Sequence, residues 1–267
     1  MKLITSSIEN PFRPFLLLAP PKAFIPGTFH TVHVDREYHA DLLAEMQRLR
    51  GRVYLEDGAI DRSQLTPCGR HDLAIDHVSW HLITLNRQGM VSGCARFLQH
   101  SASATWSELR VRTAALARTR LWARKLRKAV EAELDEARKR GLAYIEFGGW
   151  ALTKELRGTT EGLRIALATW GGAQALGGCI GVSTVTSRNG SSSILRRIGG
   201  RSLAVDGEEL PCYYDPSYKC EMEILRFDSQ RPHSRYAPWV EQIRSHLLNV
   251  LVISNAAEMC QVTRIAV

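Results

Sequence analysis

The chain has 267 residues, 45% hydrophobic and 23% charged, an ordinary globular composition with enough length to bury a core, as one large domain or two small ones. Its longest apolar run near the N-terminus, FLLLA at Phe15–Ala19, lies between prolines and is too short for a signal core or a membrane span, so the expected location is the cytoplasm. The six cysteines (68, 94, 179, 212, 220 and 260) form no CxxC pair, which excludes a disulfide scaffold and reads as free thiols. The net charge of +8 is concentrated: Arg110, Arg112, Arg118, Arg120, Arg124, Lys125, Arg127 and Lys128 stand together with no acid among them. Such a stretch is a solvated helix face or a patch for an acidic partner.

Residues 1–33 are Pro-rich without sustained periodicity and read as an arm, leaving 34–267 as a single domain with no internal repeat and no linker. Leu42, Leu43, Met46, Leu49 and Val53 recur at helical spacing within residues 40–54. His77–Leu85 alternates as a strand, Gln88-Gly89 turns, and Met90–Gln99 returns as the second strand of a hairpin. A long basic helix is expected over about 113–140, with Trp122, Leu126, Val130, Leu134 and Ala137 as its stripe and Gly141 as its stop. The strand YIEFGGWAL then leads through a turn into a helix that continues over LRIALATWGGAQ. CIGVSTVTS reads as a buried strand, serines 191–193 as caps for the short helix SILRRI, and 201–227 as a hairpin with a long turn. Pro238 opens a C-terminal helix expected over about 238–257. The order predicts an α/β (α+β, mixed-sheet) layer architecture around one sheet.

Several chemistries lack their motifs. There is no GxxxxGK[ST] phosphate loop, no GxGxxG dinucleotide fingerprint and no GxSxG elbow. Asp76, His77 and His81 lack a third ligand nearby, so no metal site is expected. The basic stretch has one aromatic residue in its helix, Trp122, which argues against base stacking and against nucleic acid as the partner.

YIEFGGWALTKELRGTTEGL (Tyr144–Leu163) carries more. Glu146 on an apolar strand is a candidate general base, its alternative being a core carboxylate satisfied by its neighbours. Gly148-Gly149 inside a strand mark a bulge or a close approach of backbone, able to turn an N–H toward a reacting carbonyl. Arg157, Gly158 and Gly162 sit where a turn can offer N–H groups to an anion at a helix N-terminus. This arrangement resembles the Gcn5-related N-acyltransferase superfamily, whose pyrophosphate loop reads [QR]xxGx[GA]; Arg157 and Gly162 match, and Thr160 replaces the middle glycine. The chain from about residue 40 to 228 further resembles the acyl-homoserine-lactone (autoinducer) synthases and the N-acyl amino acid synthases. Their Arg-x3-Phe helix end, acidic pair, GCxRL strand and ELSRFAV strand have counterparts in Arg50 with Tyr54, Asp72 with Asp76, GCARFL with Arg96, and EFGGWAL from Glu146.

The resemblance implies a three-layer acyltransferase fold with the basic helix inserted, and an enzyme that moves an acyl group from a thioester to the amino group of a small amine or amino acid. It places Glu146, Gly148 and Gly149 at the chemistry, and Trp150, Leu152, Arg157, Gly158, Thr159, Thr160 and Gly162 along the donor. Arg50, Tyr54, Asp72, Asp76 and Arg96 fall around the acceptor. Arg118, Arg120, Arg124, Lys125, Arg127 and Lys128 become a patch for acyl carrier protein, whose phosphopantetheine, or coenzyme A, is the co-substrate; no tightly bound cofactor is implied. Ile60 stands where the autoinducer synthases have a tryptophan and Gly149 where they have an arginine, and the acidic pair is spaced by four rather than three. These departures favour N-acyl amino acid synthase-like chemistry over lactone formation from S-adenosylmethionine. A small-acyl CoA-dependent acetyltransferase and a non-catalytic basic module remain the alternatives.

Overall fold

The computed structural model describes residues 14–256. Strands β1 (Phe15–Ala19) and β2 (Thr31–Val34) precede helix α1 (Arg36–Glu56); β3 (Trp80–Leu85) and β4 (Val91–His100) form a hairpin. Then come α2 (Ala123–Lys139), β5 (Ala143–Leu152), α3 (Glu161–Ala175), β6 (Cys179–Thr186) and α4 (Ser191–Ile198). Short strands β7 (Arg201–Ser202), β8 (Ala204–Val205), β9 (Glu208–Glu209) and β10 (Tyr213–Asp215) lead to β11 (Cys220–Asp228), α5 (Ala237–Leu247) and β12 (Leu251–Ser254). Among the described residues one mixed sheet runs β10-β11-β6-β5-β4-β3-β1-β12-β2 with β7 beside β11, and β8 pairs with β9 apart from it. β5–β6, β1–β12 and β12–β2 are parallel; the other pairs are antiparallel.

Strand alternation sorts the core into layers. On one face, Leu42, Leu43, Met46 and Leu49 of α1 pack on Leu16, Leu18, Ile83 and Cys94. Beside them Leu126, Val130 and Leu134 of α2 pack on Tyr144, Ile180, Val182 and Ile224. The opposite face buries Phe15, Leu17, Leu82, Phe97, Ile145 and Phe227 against Ile165 and Trp170 of α3 and Ile243 and Leu247 of α5. Helices on both sides of one sheet make the expected three-layer α/β arrangement. α1 starts on Asp35, whose carboxylate accepts the Tyr38 N–H at 2.9 Å, and α2 stops at Gly141, whose φ is +64°.

Several expectations change. Phe15–Ala19, within the stretch read as an arm, is an interior strand: all five residues are buried because both sheet faces are covered there, so no alternation marks it. Residues 1–13 lie outside the described part. The C-terminal helix expected to run to about 257 ends at Leu247, and Leu251–Ser254 is the strand between β1 and β2. The inserted helix begins at Ala123. Before it, Trp106–Glu108, Arg110–Thr113 and Ala115–Arg118 are separate 3-10 turns broken by extended Leu109, Ala114 and Thr119. That path buries Leu109, Val111 and Leu116 one after another, which a continuous helix would not. His77 belongs to a 3-10 turn (Ala74–Val78), so it and His81 do not share a strand. α4 is entered through left-handed Gly190 rather than a serine cap.

Candidate active site

β5 and β6 pair only over Ala143–Glu146 and Cys179–Val182. Each strand continues beyond that point, β5 to Leu152 and β6 to Thr186, so they part and leave a wedge between them. A cavity of about 50 Å³ sits there, its wall including Arg96, Phe147, Gly148, Trp150 and Ser183 and its end closed by Trp170 and Phe227. Phe227 stacks edge-on to both Phe147 and Trp170, at 5.3 and 5.5 Å between centroids. Past the last paired residues, backbone N–H and C=O groups on the facing edges of β5 and β6 have lost each other as partners. The indole Nε1 of Trp150 is also buried with no hydrogen-bond partner.

The glycine pair makes the expected bulge. Two steps along β4, from Arg96 to Cys94, match three along β5, from Gly148 to Ala151. Consequently Ile145 and Phe147 before the bulge and Trp150 and Leu152 after it face the same core. Gly149 has φ +64°, and a Cβ there would stand 3.2 Å from Arg96 Cβ and 3.5 Å from Arg50 Nη1. Backbone conformation and crowding both demand glycine.

Those two arginines belong to a buried polar cluster that unites the residues expected to hold an acceptor. Arg50, fully buried in α1, donates to both Asp76 oxygens, at 2.9 and 2.5 Å, and also to the His71 carbonyl. Arg96 on β4 donates to Asp76 Oδ1 at 3.0 Å. Gln47 Nε2 links Asp76 (3.3 Å) to the half-buried Asp72 (3.0 Å). Tyr54 stacks near His71, 5.7 Å between centroids, and its hydroxyl points at the Trp150 carbonyl, 3.4 Å away. Burial disfavours the Asp76 carboxylate, but the bonds and charge of Arg50, with the charge of Arg96, more than offset it and hold its pKa well below the usual range. Burial, then the Arg50 charge, pushes His71 down to about 4. His81, bonded to the Asp76 carbonyl at 2.8 Å, is pushed by burial to about 3. Both imidazoles are neutral at ordinary pH. The acidic spacing of four works because the 3-10 turn at 74–78 brings Asp76 under Arg50 while Asp72 stays at the rim.

Glu146 lies two cross-strand rows from Arg96, opposite Leu98. Its Oε2 accepts the Arg110 N–H and His100 Nε2, both at 2.8 Å, and its Oε1 accepts the Val111 N–H at 2.7 Å. The carboxylate is thus the anchor of the turn at 109–111, the alternative reading of this residue.

The loop after β5 places the remaining donor candidates. Trp150 and Leu152 line the wedge side of the bulged strand, and Ile194 of α4, Trp150 and Leu152 lie 3.5–3.7 Å from where a Cβ of Gly162 would stand. Gly158 (φ +74°) faces open space, Thr159 Oγ1 accepts the Glu161 N–H at 3.2 Å, and Thr160 is the N-cap of α3. Arg157 turns across the wedge to Asp57, 2.9 Å away. In the basic stretch, Lys125 pairs with Glu208 (2.5 Å), Lys128 with Asp206 (2.7 Å) and Arg127 with Glu131 (2.8 Å), all exposed, whereas Arg118, Arg120 and Arg124 show no carboxylate partner among the described residues. Among the described residues no group of three His, Cys, Asp or Glu is placed to hold a metal ion, and no helix is long and apolar enough to cross a membrane.

Sequence reasoning weighed His81 only as a metal ligand, and it missed Gln47, His71 and His100 and the aromatic floor of Trp170 and Phe227. They come from different elements or loops, and no local spacing joins them; a polar residue on the apolar stripe of α1, Gln47, was the one available signal.

No protein-family model matches the chain, and no curated protein matches it in sequence. Solved structures do. A CoA-dependent acyl-homoserine lactone synthase, BjaI, is similar at 12% identity over 90% of this chain and 93% of its own, with TM-score 0.55 in its structure with SAM and isopentyl-CoA. Its structure with MTA gives 0.56 over the same shares at the same identity. FeeM, an N-acyl amino acid synthase from uncultured soil microbes, covers 74% of this chain and 89% of its own at 11% identity and TM-score 0.46. The chain therefore has the Gcn5-related acyltransferase-like fold, that of the acyl-homoserine lactone synthase.

Proposed function

We propose that this protein is an N-acyltransferase that moves an acyl group from a thioester to the amine of a small, carboxylate-bearing acceptor such as an amino acid. The parting of β5 and β6 beside the Arg50–Asp76–Arg96 cluster carries this reading. A thioester arm threaded along the freed edge of β5 brings its carbonyl to the bulge, with the acyl group in the apolar cavity and the cluster on the neighbouring strand. Arg96 both lines that cavity and touches Asp76, so it lies between donor and acceptor. A guanidinium fork there suits an acceptor carboxylate.

The neutral amine attacks the thioester carbon, forming the C–N bond as the carbonyl π electrons move to oxygen. Backbone N–H groups freed at the wedge and the unpartnered Trp150 indole are the donors available to that oxyanion. Collapse restores C=O and breaks C–S; the proton lost by nitrogen ends on sulfur, giving an amide and a free thiol. Glu146 serves by fixing the 109–111 turn over the site rather than by accepting the proton, because three donors already occupy its oxygens.

The donor arm is read as carrier-bound phosphopantetheine, attracted by Arg118, Arg120 and Arg124. Pairing of the other three patch cations favours a CoA thioester as the second reading. Purified protein given acyl-carrier protein or acyl-CoA with a panel of amino acids and amines should release thiol and form an N-acyl product, read by mass spectrometry. A carrier donor should lose rate steeply with salt; a CoA donor much less. Glu146→Gln should lower the melting temperature and rate while leaving the acidic limb of the kcat/KM profile in place. Disappearance of that limb would restore Glu146 as the base, and absence of any thiol release with every pair would remove the acyl-transfer reading.

A further inference from the structure

Neighbouring strands keep their spacing through the hydrogen-bond ladder between them, and β5 and β6 have that ladder only as far as Glu146 and Val182. Beyond it each lip of the wedge needs another support. Asp57, the C-cap of α1, reaches both. Its Oδ1 accepts Arg157 Nη1 (2.9 Å) from the loop that follows β5, and its Oδ2 accepts Asn189 Nδ2 (3.2 Å) from the turn that follows β6. Its backbone carbonyl accepts Arg188 Nη1 from the same turn. Arg188 Nη2 donates to the Lys219 carbonyl at 2.8 Å, which ties that lip to the turn between β10 and β11.

Asp57 is itself held in place. The Val53 carbonyl accepts its N–H at 3.0 Å, and left-handed Gly58 (φ +67°) turns the chain back so that the Tyr54 carbonyl accepts the Ala59 N–H at 2.8 Å. Val53 and Ile60, on either side, are buried. Arg50, about two turns earlier on α1, holds Asp76. One helix therefore carries both the anchor of the polar cluster and the support of the wedge. A carboxylate suits the task, since its two oxygens let one side chain accept from two segments at once.

We propose that Asp57 is a positioning residue that sets the width of the wedge, standing in for the strand-to-strand hydrogen bonds that β5 and β6 lack beyond Glu146. Without its carboxylate each lip moves with its own loop. The free protein then holds a donor-ready width for a smaller fraction of the time, and donor binding weakens by that fraction. Asp57 acts through Arg157 and Asn189 and touches neither substrate. The kinetic consequence rests on the thioester-donor reading above; the bracing of the two lips does not.

Hydrogen–deuterium exchange of the full chain, read by mass spectrometry, and steady-state kinetics test it. Peptides covering 153–158 and 187–191 contain the hydrogen-bonded amides of Leu156, Arg157 and Ser187. In Asp57→Ala those amides should exchange about tenfold faster, the scale of one charge-assisted hydrogen bond, while the paired segments 143–146 and 179–182 keep their rates. The donor KM should rise about tenfold, with kcat and the acceptor KM within about twofold. A partly unfolded preparation would instead lower kcat and leave both KM values alone. Asn189→Gly removes only the β6-side contact, suits the positive φ there, and should act in the same direction by less. Adding it to Asp57→Ala should change nothing further, because both cut one link. Unchanged exchange at the lips, equal acceleration across the whole sheet in both variants, an unchanged donor KM, or additive effects of the two substitutions overturns the brace and leaves acyl transfer standing. If the wild type releases thiol from no donor, the acyl-transfer reading fails, and the exchange comparison alone decides for or against the brace.

Discussion

Asp76 is the residue on which the buried polar cluster depends. It is 1% exposed and holds two guanidinium groups that are themselves buried, so its removal leaves like charges facing each other without an anion. Asp76→Asn should destabilise the protein by about 3–5 kcal/mol in urea denaturation, the usual cost of breaking a buried pair. The neighbouring histidines set a pH dependence of definite sign. His71 and His81 have folded pKa values of about 4 and about 3, below an unfolded value near 6.5, so between those limits the unfolded chain binds more protons. Stability is then full above about pH 6.5 and declines as pH falls toward 4 and 3. Asp76, also depressed, adds its own loss only below about pH 4. Denaturation midpoints at pH 7 and 4.5 check this: His81→Gln, which keeps a donor for the Asp76 carbonyl, should flatten the difference.

At the scale of elements the bulged strand β5 decides most. The extra residue at Gly148-Gly149 lets one strand serve two registers, with Ile145 and Phe147 facing the helical core before it and Trp150 and Leu152 after it. Gly149→Ala puts a Cβ at 3.2 Å from Arg96 on a residue with positive φ, and should cost about 1–2 kcal/mol from the backbone alone. Because the clash is with Arg96, the acceptor KM should rise more than the melting temperature falls would predict. The arginine that autoinducer synthases carry here has no space: Arg50 and Arg96 already fill it. The basic stretch teaches the opposite lesson, since eight cations in a row in sequence become two different surfaces. Only Arg124, Lys125, Arg127 and Lys128 lie on α2, and three of those four are paired.

For the whole molecule, the first and last described strands complete the sheet together. β12 lies between β1 and β2 and is parallel to both, so residues near 16 and 252 are neighbours while the acyltransferase-like elements fill the sequence between them. Truncation after Leu248 removes an interior strand with Val252 and Ile253 fully buried. The truncated chain should be insoluble or lack a cooperative unfolding transition in thermal denaturation.

The sequence by itself determined the layered α/β class, the helix stripe of α1, the β3–β4 hairpin, the glycine bulge and the set Arg50, Tyr54, Asp72, Asp76 and Arg96. Each of these rests on a local period, on a backbone preference of glycine, or on a motif kept in order along the chain. Only the tertiary structure decided that Phe15–Ala19 and Leu251–Ser254 are interior strands, because a strand covered on both faces carries no alternation to read. The satisfaction of Glu146 by the 109–111 turn and the meeting of Asp57, Arg157 and Arg188 are likewise matters of contact across the sheet. Hydrogen bonds between residues 35 to 131 positions apart leave no periodic trace, and they fix which charged groups remain available for chemistry.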